Sequence, residues 1–234
     1  MLGVVLLFLN NDLSKAVITL MNVIIILVPL IGTIFGVMYY YNSKEFTELL
    51  LAQPIKRSSI FLGQYLGVAL SLSLSLIIGL GIPFIFYGIF KSAAIWDFSL
   101  LLITGTFLTL IFTALAFLIA LYNENKIKGF GYAILLWLFM AVIYDGLFLM
   151  SLIAFEEYPL DNISLIGTMA NPIDLSRVLI LLKLDISALL GYTGAIFQKF
   201  FGTNFGIIIA SIVLIFWVLI PTFFIQWKAT RKDF

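Results

Sequence analysis

The chain has 234 residues with 13 Lys and Arg against 12 Asp and Glu, a net charge of +1 that says little by itself, and no nucleic-acid partner is expected. Hydrophobic residues make up 63% and charged residues 11%, against about 45–50% and about 25% in soluble domains, which excludes an ordinary water-soluble core and places the chain in the membrane class. The absence of cysteine and histidine also excludes disulfides, thiolate nucleophiles, imidazole bases and the usual zinc or blue-copper ligand sets.

The fold class expected is an all-α integral membrane protein forming one transmembrane domain over 1–234. Met1 to Leu9 (MLGVVLLFL) is apolar but too short to span, and it lacks the charged start and cleavage site of a signal peptide. It reads either as the tail of a preceding span or as an interfacial stub. About 20 apolar residues at helical rise cross the hydrocarbon layer, and five runs qualify. The first is Ala16 to Tyr41, with Pro29 inside it.

The next stretch, Asn42 to Gly67, reads NSKEFTELLLAQPIKRSSIFLGQYLG. Asn42 with Glu45 three residues on predicts a capping box, and Gln53 before Pro54 predicts a stop, giving a short helix over Ser43 to Ala52. Phe46, Leu49 and Leu50 share one face by i, i+3, i+4 spacing, with Lys44, Glu45 and Glu48 on the other. Ser58 is the expected cap of the next helix. Two readings stay open here: a helix lying on the headgroups, and a docking lever for a cytoplasmic partner.

The second span covers Phe61 to Phe90 and the third Leu100 to Tyr122. Small residues recur every four positions in the second (Gly63, Gly67, Ser71, Ser75, Gly79), and the first has Gly32 and Gly36, stripes that predict close helix packing. The fourth span, Tyr132 to Phe155, carries Asp145 beside Tyr144. A carboxylate at that depth reads as a proton relay or cation contact, or as a structural hydrogen bond near the helix end. The methionines form no cluster and read as core fillers rather than copper ligands.

A long connection, Glu156 to Asn204, precedes the fifth span at Phe205 to Trp227. Within it, Asn171 as cap, Pro172 at the first helical position and Asp174 at the third form a helix-start signature. Leu175 to Leu190 is apolar, yet Arg177, Lys183 and Asp185 interrupt it at a cost of about 2.5–3.5 kcal/mol per charge at the centre of a span. The expectation is therefore an interfacial or re-entrant helix, followed by the aromatic turn GYTGAIFQKFFG, with a sixth span as the competing reading.

Lys44, Lys56, Arg57, Lys126, Lys128, Lys228, Arg231 and Lys232 fall on one set of connections. Most acids fall on the other, with Lys15, Lys91, Arg177, Lys183 and Lys199. The positive-inside rule makes the first side cytoplasmic, with the C-terminus on it. No nucleotide-binding loop, zinc-protease motif or nucleophile elbow is present, so any ATP used must be hydrolysed by another chain.

The segment KEFTELLLAQPIKRSSIFLGQYLG resembles the connection between the second and third membrane helices of ABC-2 type permeases, the membrane halves of a group of ATP-binding cassette transporters. There the short helix is the coupling helix, seated in a cleft of the ATPase subunit, within a domain of six spans preceded by an amphipathic helix. If the first full span here matches the family's second, the resemblance implies that the leading helix and first span are absent from this sequence. The stretches LLWLFMAVIYDGLF and NPIDLSRVLILLKLDISALLGYTGAIFQKFFG resemble the permeases of nitrous-oxide reductase maturation systems, the NosY type, which serve assembly of a copper–sulfur centre. The resemblance implies a non-catalytic subunit of the bacterial inner membrane that binds no cofactor itself, with ATP and Mg in a cytoplasmic ABC ATPase. Its other implied partners are a second copy of the chain and a periplasmic β-helical accessory protein. It implies ATPase contacts through Glu45, Phe46, Glu48, Leu49, Leu50, Gln53, Pro54, Lys56 and Arg57, and periplasmic contacts through Asn171, Pro172, Asp174 and Arg177, in a 156–204 segment on that side. The competing functions are an exporter of a lipid, peptide or drug, an intramembrane enzyme, and a membrane anchor.

Overall fold

The computed structural model describes residues 13–92, 94–154, 160–183 and 194–231. The stub at Met1–Leu9, the residues Glu156, Glu157, Asp185 and Lys232, and the turn's start at 191–193 lie outside them. Among the described residues, five helices are long and apolar enough to cross a membrane. They are α1 (Leu13–Asn42), α3 (Arg57–Phe86), α4 (Ile95–Tyr122), α5 (Lys126–Ala154) and α9 (Asn204–Arg231). Between them lie the short helices α2 (Lys44–Leu51), α6 (Leu160–Met169), α7 (Pro172–Lys183) and α8 (Gly194–Phe201).

The helix ends depart from expectation by about a turn. α4 starts at Ile95, which brings Asp97 into its first turn, where a carboxylate favours the helix dipole. α3 starts at Arg57 after an extended Lys56, so Ser58 lies inside the helix and does not cap it. It ends at Phe86, before Gly88 at φ +86°, a left-handed conformation that suits glycine.

α4 is the central helix. It packs on α1, α3, α5, α7 and α9, and its contact with α1 is the most extensive in the bundle. A helix apolar on all sides fits that position. Two core layers follow. One gathers α1, α4, α7, α8 and α9 around Leu101, Leu108, Phe112, Ile173 and Phe201. The other gathers Tyr40, Phe61, Tyr65, Phe117 and Ile225 near the α2 end.

The two small-residue stripes part company. A Cβ on Gly36 would stand 2.9 Å from the Ala116 Cβ and 3.3 Å from the Thr113 carbonyl oxygen, and one on Gly32 would stand 3.2 Å from the Thr113 hydroxyl. Gly63, Gly67 and Gly79 have nothing within 4 Å of such an atom. Close packing therefore holds for α1 against α4, and the α3 stripe faces out of the chain. Gly36→Leu is expected to destabilise by about 1–3 kcal/mol, the usual cost of overpacking, while Gly67→Leu should leave the melting temperature unchanged. Equal shifts would contradict this division.

The basic residues expected on one side do share one end. Lys44, Lys56, Arg57, Lys126, Lys128, Lys228 and Arg231 all sit at or beside the helix ends that surround α2. Lys228 lies over the Tyr122 ring at 4.7 Å and Arg231 over Trp227 at 4.3 Å. Both cap the negative end of α9 while their stems lie along aromatic surface.

Candidate functional site: a tethered short helix and a buried charge cluster

α2 begins directly after α1. Asn42 is the last residue of α1 and Ser43 the cap position of α2, with no side-chain capping bond. The Asn42–Glu45 capping box is therefore not formed, because α1 runs one residue past its apolar pattern and takes in Asn42. Asn42 Oδ1 instead accepts a hydrogen bond from Lys126 Nζ at 3.0 Å.

The face of α2 turned to the bundle is that of Thr47 and Leu51. Thr47 is buried, its hydroxyl donates to the Ser43 carbonyl at 2.7 Å, and it accepts from Gln64 Nε2 of α3 at 2.7 Å. Leu51 packs on the core layer of Phe61 and Tyr65. Phe46 and Leu49 point away, 57% and 69% exposed, and Leu50 is half-buried. Glu45, Glu48, Gln53, Pro54, Lys56 and Arg57 are exposed around them. Two large apolar side chains thus project from a helix whose other face is pinned by a buried hydrogen bond.

The root of α2 has a second tether. Tyr41 Oη donates to the Asn123 carbonyl at 2.7 Å, and Asn125 caps α5 by accepting from Ile127 N and Lys128 N. Gly129 makes room for this, since a Cβ there would collide with the Tyr41 hydroxyl. The short helix is thereby tied to α1, α3 and the α4–α5 turn.

The second constellation lies at the opposite end. α6 and α7 form a hairpin bent by 111°, the shape of a broken span or a re-entrant loop. Asn171 caps α7 as its sequence predicts, with Oδ1 accepting from Ile173 N at 3.0 Å. Its Nδ2 donates to the Met140 carbonyl at 2.8 Å and to Asp174 Oδ2 at 2.9 Å. Arg177 Nη1 donates to Asp145 Oδ2 at 2.6 Å and to Asp174 Oδ1 at 3.3 Å. Two carboxylates, one guanidinium and one amide form a single cluster between α5 and α7.

A π-helical turn at Phe139–Ile143 in α5 takes part in this arrangement. The Tyr144 N–H reaches back to the Phe139 carbonyl, and Asn171 supplies a donor to the Met140 carbonyl beside it. Such widened turns gather at functional sites. The hairpin apex is held by two further donors, Tyr144 Oη to the Gly167 carbonyl at 2.6 Å and Trp217 Nε1 of α9 to the Met169 carbonyl at 3.1 Å. The Met169 carbonyl at the end of α6 is satisfied this way, as an apolar surrounding demands, and the Gly167 carbonyl, which also accepts from Ala170 N, gains a second donor.

Asp145 accepts a hydrogen bond from Arg177, a bond of the kind that one of its open readings, the structural one, expects. Asn171, Pro172 and Asp174 are buried inside the bundle and Arg177 is partly so. The expected periplasmic contact through these four residues thus has little free surface behind it. Sequence reasoning overlooked Thr47, Gln64, Tyr41 and Trp217. A threonine in the middle of an apolar helix and a glutamine inside a span were the available signals.

No protein-family model matches the chain. A stretch of 114 residues is 30% identical to a Stutzerimonas stutzeri protein described as "Probable ABC transporter permease protein NosY". The chain is a multi-pass membrane protein similar in part to an ABC transporter permease. The matched stretch is 47% of this chain and covers 41% of that relative's length.

Proposed function

We propose that this chain is the membrane subunit of an ATP-binding cassette transporter, with α2 as the helix that receives force from a separate ATPase. The observation that supports this reading is the two-sided construction of α2, with Phe46 and Leu49 exposed outward and Thr47 tied inward to Gln64. An ATPase cleft would seat the two apolar side chains, with Glu45, Glu48, Lys56 and Arg57 as a polar rim. Closure of ATP- and Mg-loaded ATPase subunits would then carry α2, α1 and α3 as one body and shift a two-state membrane assembly. A helix merely resting on headgroups needs no buried bond on its inner face.

The finer reading places the chain in the bacterial inner membrane with its C-terminus cytoplasmic, paired with a second copy. It serves copper–sulfur centre maturation of nitrous-oxide reductase together with a periplasmic β-helical protein. The likeness to the Stutzerimonas permease supports it. The deciding experiment is gentle affinity purification from native membranes with mass spectrometry of what co-elutes. Recovery of an ABC ATPase with a β-helical periplasmic protein is the expected result. Recovery of the ATPase alone would leave a general exporter, and recovery of neither would overturn the proposal.

A further inference from the structure

Two cavities lie side by side on the outer surface of α4, in the half of the bundle away from α2, the smaller almost wholly apolar and the larger mainly so with a polar share. The larger, about 560 Å³, runs between α4, α7 and α9 and is bounded by Trp96, Leu179 and Leu214. The smaller, about 420 Å³, lies between α4 and α3 and is bounded by Ile77 and Leu110. Ser99, Ile103 and Phe107 line both. These three recur at i, i+4 and i+8, so they form one ridge along α4 with a groove on each side.

The grooves carry no charged lining residue and no methionine, which argues against an ionic solute or a soft metal. Their hydroxyl protons are already committed. Ser99 donates to the Ile95 carbonyl, Thr104 to Leu100, Thr106 to Leu102 and Ser211 to Ile207, all at 2.8–2.9 Å within their own helices. A polar ligand would lose its hydration and find no donor. An apolar one loses nothing.

Depth then selects the kind of apolar ligand. From Trp96 to Phe107 the rise is about 16 Å at about 1.5 Å per residue, which matches one leaflet of a hydrocarbon core about 30 Å thick. Trp96 stands 74% exposed at the mouth, where an indole fits the headgroup boundary. We propose that this ridge is a phospholipid site: one diacyl lipid of the leaflet opposite α2 straddles Ser99, Ile103 and Phe107, with one acyl chain in each groove. The lipid is a resident ligand of the fold. The inference rests on the multi-pass architecture and not on the ATPase reading.

The test uses the intact chain in native-lipid membranes with a phosphatidylethanolamine carrying a photoactivatable diazirine in one acyl chain, and maps the labelled residues by mass spectrometry. Labelling should concentrate on 96–110 of α4 and on 207–214 of α9. Ser211→Trp, which fills the larger groove, should lower that labelling about tenfold, the effect of about 1.4 kcal/mol. Ile208→Trp, on the same helix at a 57% exposed position outside the grooves, should leave it unchanged. Labelling spread evenly over all exposed apolar positions would overturn the proposal, since it would mean bulk lipid only. So would disulfide-linked dimers of an Ile103→Cys variant, formed with an added two-electron oxidant in membranes without the probe, since the chain has no other cysteine and such dimers would give the ridge to a second copy. The wild-type map decides the matter even if the tryptophan variant does not fold.

Discussion

Arg177→Met is expected to be the most destabilising single substitution in the hairpin, lowering stability by about 3 kcal/mol. Removing one partner from a buried ion pair costs about 3–5 kcal/mol, because the remaining charge is left without compensation. The low end applies because the Arg177 and Asp145 side chains keep 28% and 34% of their surface exposed. Two carboxylates would then face each other, with only the Asn171 amide between them and neutrality. The combined variant Arg177→Met with Asp145→Asn should recover part of the loss, since it returns the cluster's net charge to the original value while Asp174 keeps only the Asn171 amide. Thermal unfolding of the purified chain in detergent reads both. If the double variant is no more stable than Arg177→Met alone, the Asp145–Arg177 bond is not what holds α5 to α7.

Under the proposed function, Phe46→Asp combined with Leu49→Asp should abolish capture of an ABC ATPase subunit while leaving the melting temperature in place. Central apolar anchors of an interface are worth about 2 kcal/mol or more each, so the pair should lower binding by at least about a hundredfold at about 1.4 kcal/mol per decade. Both side chains project from α2 into open surroundings, so the fold loses little. Gln64→Leu makes the opposite demand. It cuts the inner tie of α2 without touching the outer face, so capture should persist while ATP-driven function falls. The fold tolerates this change because Thr47 keeps its bond to the Ser43 carbonyl. The Gln64 Oε1 atom, which has no hydrogen-bond partner among the described residues, disappears with the amide. Loss of capture in Gln64→Leu, or retention of it in the double aspartate variant, would contradict the two-sided reading of α2.

The spans were legible because a bilayer sets a length that apolar runs either reach or miss. The cap at Asn171 was legible for a related reason, since a capping signal is complete within four residues. Asp145 was visible as a problem but its partner was not, because Arg177 stands 32 residues further along the chain, where local pattern carries no information. The π turn at Phe139–Ile143 has no signature in FMAVI. The periodicity of Phe46, Leu49 and Leu50 is real, yet which side of α2 packs inward was decided by Gln64, 17 residues beyond Thr47. The glycine stripes make the same point: identical spacing in α1 and α3 met a neighbour in one case and open surroundings in the other.

Besides the Arg177–Asp145 ion pair, three ties fasten the hairpin, each from a side-chain donor to a main-chain acceptor, at Met140, Gly167 and Met169. Every amino acid brings a carbonyl, whereas few bring a donor of the right reach. Evolutionary drift is therefore free at Met140 and Met169 as far as these bonds are concerned, and constrained at Tyr144, Asn171 and Trp217. The permanence of this part of the molecule rests on three donor side chains, Tyr144 and Trp217 beside the loop and Asn171 within it.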